Sequence, residues 1–82
     1  MTTPLQRVLF SVRCDTIGEP TLVDYETIES AMSDRGLQVL AEVSVAVSIW
    51  IGALRVTPDL YGWEALRAQL INNAPTILRG IE

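Results

Sequence analysis

Among its 82 residues the chain has no histidine, no lysine and a single cysteine. Each absence excludes something. Histidine is the side chain most often recruited to move protons near neutral pH, and it is also what usually activates a cysteine or serine nucleophile. One cysteine, Cys14, cannot close an internal disulfide, so nothing in the sequence asks for an oxidising compartment. Positive charge comes only from Arg7, Arg13, Arg35, Arg55, Arg67 and Arg79, scattered along a chain whose net charge is −4. Phosphate backbones are gripped by clustered Lys and Arg, so a nucleic acid is not expected as a direct ligand. The glycines Gly18, Gly36, Gly52, Gly62 and Gly80 stand alone, and no phosphate-cradling loop can be built from them. No basic stretch leads into an apolar run at residues 1–7, so no signal peptide is expected. The charge-free run from Val43 to Leu54 is far short of the ~20 residues a membrane-crossing helix needs.

What remains is a chain that is 49% hydrophobic, a high fraction for so small a body. Either the core is rich or another chain covers some of the apolar surface. One domain over residues 1–82 is expected, located in the cytoplasm, or in a host cytoplasm or virion if the gene belongs to a phage.

Residues 7–14 alternate, with Val8, Phe10, Val12 and Cys14 on one side, as a half-buried strand does. Thr21 followed by Asp24 resembles a helix start, and Leu22, Tyr25, Ile28 and Met32 then form a helical stripe that Gly36 can end. From Leu37 to Ile51 every odd position is apolar, and six of those eight are β-branched, which predicts one long strand. Gly52 is a candidate bend and residues 53–56 a short strand. Thr57-Pro58-Asp59 reads as a helix start, with Leu60, Trp63, Leu66 and Leu70 as the buried stripe. The tail from Thr76 can add an edge strand.

The expected class is therefore α+β: two helices on one antiparallel or mixed sheet, in the order β-α-β-(β)-α-(β). With a break between residues 44 and 53 that is a ferredoxin-like order. The expected core contains Phe10, Val12, Ile28, Met32, Val43, Val45, Trp63, Leu66 and Leu70. Fifteen residues of strand would span about 50 Å, whereas the globule is only about 30 Å across. Such a strand has to turn as a hairpin near Ser44 to Ser48, bend through a bulge, or pair with another chain, and the absence of Gly, Pro, Asn and Asp from residues 44–48 favours the last two.

Chemistry-bearing patterns are sparse. The acids Asp15, Glu19, Asp24, Glu26, Glu29 and Asp34 fall in one segment without a base, but their spacing fits no cation-binding loop. Cys14 reads as a core thiol. No catalytic residue, cofactor site, metal site or small-molecule substrate is assigned. The expected function is non-enzymatic assembly or interaction: the chain oligomerises, or pairs its long strand with a partner protein. The alternative is a small acidic inhibitor, of the phage anti-defence type, that blocks a basic surface. The phage association rests on size and the lack of motifs. The candidate partner-binding residues are Leu40 and Trp50 on the even face of the long strand, Tyr61 off the last helix stripe, and Asp24, Glu26 and Glu29 in the acidic segment.

Overall fold

In the computed structural model, which describes residues 9–79, the elements run β-β-α-α-β-β-α-α. The first two strands, β1 (Phe10–Asp15) and β2 (Pro20–Tyr25), form a hairpin, closed by a loop in which Gly18 takes a φ of 137° that side-chain-bearing residues rarely adopt. Two short helices follow, α1 (Ile28–Met32) and α2 (Arg35–Val43). Strands β3 (Ala46–Ile51) and β4 (Leu54–Arg55) then make a second hairpin. Its loop, Gly52-Ala53, has a positive φ only at Gly52, as a type II′ turn requires. Helices α3 (Gly62–Asn72) and α4 (Ala74–Arg79) close the described chain.

All pairings are antiparallel, and the strand order is β2-β1-β3-β4. The expected α+β class, with helices against one antiparallel sheet, is what the chain forms. The order of elements within it differs from the expected one, and the ferredoxin-like order is not found.

Two segments exchange their expected states. Residues 21–25 are strand rather than helix. Thr21, Val23 and Tyr25 alternate with Leu22 and Asp24, and pairing of Val12 with Val23 and Phe10 with Tyr25 rewards that period over the helical one. Helix α1 starts later, where Thr27 accepts from the Ser30 N–H at 3.0 Å. Residues 37–43, in turn, are helix rather than the first half of a long strand. Asp34 caps this helix, accepting from the N–H groups of Gly36 and Leu37 at 2.9 and 3.3 Å. Gly36 thus opens a helix instead of ending one. The strand that remains is six residues long, and the length conflict disappears.

Smaller corrections follow. Thr57 does not start a helix: its buried hydroxyl accepts from the Ile49 N–H at 3.0 Å and satisfies the edge of β3 where β4 stops. Leu60 continues that edge, exchanging both backbone bonds with Val47 at 2.8 and 2.9 Å. The tail is helix α4 rather than strand, and Arg7, Val8 and residues 80–82 lie outside the described residues.

The core lies between one face of the sheet and the helices. Phe10, Val12, Cys14, Val47 and Ile49 meet Ala31, Leu37, Ala41, Leu66, Leu70 and Ile77, all buried. Phe10 stacks on Tyr25 with ring centroids 5.7 Å apart. Ile28, Met32 and Trp63 of the expected core pack against its margin. Val43 and Val45 do not belong to it: they are 62% and 53% exposed, Val43 on the outer side of α2 and Val45 in the link between α2 and β3.

Candidate interaction surfaces

Helix α2 carries more apolar side chains than one face can hide. At 100° per residue, Leu37 and Ala41 share a face and point into the core, with Leu40 at its border. Val39 and Val43 each sit two residues further on, about 160° around the helix, and are 59% and 62% exposed. Between α2 and α3 they line an open groove of about 500 Å³ together with Arg35, Gln38, Glu42, Trp63 and Glu64. The groove's floor is apolar. Its α2 wall is basic at the N-terminal end (Arg35) and acidic at the C-terminal end (Glu42).

One bond fixes the two helices at this groove. The N-cap residue of α3, Tyr61, has no side-chain cap bond. Instead Glu42 Oε2, from α2, accepts from the Trp63 N–H at 2.6 Å. A carboxylate placed there satisfies an orphan donor and favours the positive end of the α3 dipole. Gly62, between them, has a φ of 82°, and a Cβ there would lie 3.2 Å from Glu42 Oε2. Glycine is thus needed both for the backbone conformation and for the close approach of the cap.

A second surface is the sheet face that no described helix covers. A cross-strand row Asp24, Ser11, Trp50, Arg55 runs over all four strands. Ser11 donates to Asp24 at 2.6 Å, and the Trp50 indole N–H donates to the nearly buried Ser48 hydroxyl at 2.8 Å. Arg55 pairs with Asp59, and Arg13 with Asp15 at 2.9 Å. Leu22 stands 60% exposed beside Arg13 and Trp50 along a shallow pocket.

The residues expected to bind a partner are therefore dispersed. Asp24 and Trp50 share the open sheet face, two strands apart. Tyr61 is 68% exposed at the N-cap of α3, next to the groove. Leu40 is half-buried and packs against the core. Glu26 and Glu29 are exposed at the β2–α1 corner and in the first turn of α1. Segment 15–34 is not one acidic helix face, since Asp15 is held by Arg13 and Asp34 is used as a cap. The groove residues Val39 and Val43 were hidden by their assignment to a strand. What could have located them is the Asp34-Arg35-Gly36 cap and the count of apolar residues on α2.

Two buried hydroxyl and thiol groups and one carboxylate have shifted acidities, all for structural reasons. Burial raises the Cys14 thiol above its ordinary value, only partly offset by a hydrogen bond from Ser44. Burial, followed by its 2.6 Å bond to Asp34 Oδ2, raises the Tyr25 phenol. That same bond, aided by the Leu37 and Gly36 N–H groups, lowers Asp34. None of these groups converges with another on a cavity. Among the described residues no three His, Cys, Asp or Glu side chains gather as a metal site would require, and no helix is long and apolar enough to cross a membrane.

Compared with protein-family models, curated proteins and solved structures, the chain matches none of them.

Proposed function

We propose that this chain is a small non-enzymatic interaction protein whose working surface is the groove between α2 and α3. The observation that carries the reading is the exposed pair Val39 and Val43 on the back of a helix whose front is already buried. Isolated surface valines are ordinary, but a pair of them lining an exposed groove with Trp63, and Tyr61 exposed at the start of the same helix as Trp63, is the kind of patch that marks a protein-binding site. The charged rim of Arg35, Glu42 and Glu64 would set orientation rather than supply most of the affinity. The long-strand version of the interaction reading has no basis once residues 37–43 are helical. Docking on a helical groove takes its place. The enzyme reading lacks a nucleophile–base pair: Cys14 is buried with its thiol favoured over the thiolate, and histidine is absent.

A photo-crosslinking residue at position 43, compared with one at exposed Ala68 on α3, tests this in the native host. Adducts to protein that form from position 43 and not from position 68 are expected. Equal yields from both positions, or none from 43, would overturn the reading.

A further inference from the structure

The groove's occupant is a second copy of this chain: we infer that two molecules dock through α2, antiparallel, about a two-fold axis passing near Val39. This rests on the groove being a protein-binding surface and adds the identity of the partner.

The charge pattern along the exposed stripe of α2 points to self-recognition. Arg35, Val39, Glu42 and Val43 fall at i, i+4, i+7 and i+8 and share one side of the helix. The stripe is basic at its start, apolar in its middle and acidic near its end. Val39 is the midpoint of the nine residues of α2. An antiparallel copy therefore sets Val39 against Val39, and each Arg35 against the Glu42–Val43 end of the other helix. A parallel copy would oppose like charges at both ends. A two-fold contact of this kind must be self-complementary, and this stripe is.

The individual groups are available for it. Arg35 has no ion pair or hydrogen bond through its side chain among the described residues, in contrast to Arg13 and Arg55, which are both paired. Glu42 spends only Oε2 on the Trp63 N–H, leaving Oε1 to face a guanidinium. Trp63 at the groove floor and Val43 at each end of the helix pair would lose water together. The dimer would also cover part of the apolar excess that the composition carries. Helix α2 is short, about 13 Å, so the contact is small and its affinity modest, with a Kd on the order of micromolar.

Light scattering and sedimentation of the purified full chain, from roughly 1 µM to 1 mM, decide the matter. The expected result is a mass rising from 9.0 kDa towards twice that value across the range. Val39→Glu places two carboxylates face to face at the axis. It is expected to weaken association at least a hundredfold while leaving the circular dichroism spectrum unchanged. Arg35→Glu is expected to weaken association about three- to tenfold, and Arg35→Lys to leave it within twofold. A wild-type chain that stays at 9.0 kDa throughout would overturn the second-copy assignment. So would a dimer that Val39→Glu does not disturb, since it would form elsewhere, for example on the Trp50 sheet face. Neither outcome touches the broader reading, which fails separately if position 43 captures no protein. Adducts from position 43 that contain only other proteins would overturn the self-recognition and keep the groove.

Discussion

The two sides of helix α2 carry the same kinds of residue and meet opposite fates. Leu37 and Ala41 face the sheet and are 2% and 0% exposed, whereas Val39 and Val43 on the other side are 59% and 62% exposed. Hydrophobicity does not separate them. What does is angular position on a cylinder that can press only one face against the core. On the sheet side an apolar side chain contributes to folding. On the groove side it stays largely in water and contributes little to the isolated fold. Burial, rather than residue type, assigns the role.

The comparison breaks most visibly on the sheet side. Leu66→Ala, removing a fully buried side chain of α3, should cost about 2–5 kcal/mol, and Leu37→Ala on α2 a similar amount, read by urea denaturation. A loss under about 0.5 kcal/mol at both would mean that these helices do not form the core layer.

The next effect lies at the start of α2. Asp34→Ala removes both the helix cap and the acceptor of the Tyr25 hydroxyl, and should cost about 1–2 kcal/mol. It carries a pH signature. The folded-state pKa of Asp34 is lowered, so its contribution is present above the ordinary aspartate value of 3.8 and is lost as pH falls through the lower folded value. Stability of the parent chain should therefore fall below about pH 4 more steeply than that of Asp34→Ala. Tyr25 runs the other way. Its folded pKa is raised, so its contribution holds below the ordinary value of 10.0 and fades as pH climbs beyond it. A parent and an Asp34→Ala chain with superimposable acid-unfolding curves would refute the linkage.

Smaller again is the cap that crosses the groove. Glu42→Ala should cost about 1 kcal/mol, because the Trp63 N–H loses this acceptor at a helix start whose N-cap side chain makes no cap bond. Glu42→Gln keeps an oxygen there and should cost about half as much. Equal losses for the two would show that charge, rather than the hydrogen bond, holds α3.

The smallest effect sharpens the comparison most. Val43→Ala should change the stability of the dilute chain by no more than about 0.5 kcal/mol, in contrast to Leu37→Ala across the same helix, while reducing self-association. A loss above about 2 kcal/mol would place Val43 in the core after all.

How the alternation at residues 37–43 misleads is instructive. Two helical stripes, Leu37/Ala41 and Val39/Val43, are offset by two residues, and together they make every second position apolar. One-sided burial of a strand produces the same pattern. Only the cap chemistry distinguishes the two: Asp34 ahead of Arg35-Gly36 starts a helix, and the β-branched Val47, Ile49 and Ile51 begin the true strand after Ser44. At residues 21–25 the ambiguity runs in reverse. Leu22, Tyr25 and Ile28 have helical spacing, but Thr21, Val23 and Tyr25 have strand spacing, and the decision belongs to β1, which lies alongside.

Local chemistry was enough to establish the first strand, the bend at Gly52, the α+β class and the poverty of catalytic groups. Each of these rests on residues within a few positions of one another, or on composition alone. The assignment of residues 21–25 and 37–43, the cap given to α3 by Glu42, and the exposure of Val39 and Val43 were decided by the tertiary structure. Each depends on partners far along the chain. Strand pairing joins Phe10 to Tyr25, the Glu42 carboxylate reaches Trp63, and the sheet offers α2 one face to lie on. Where two local periods fit equally well, the free energy of those distant contacts selects between them.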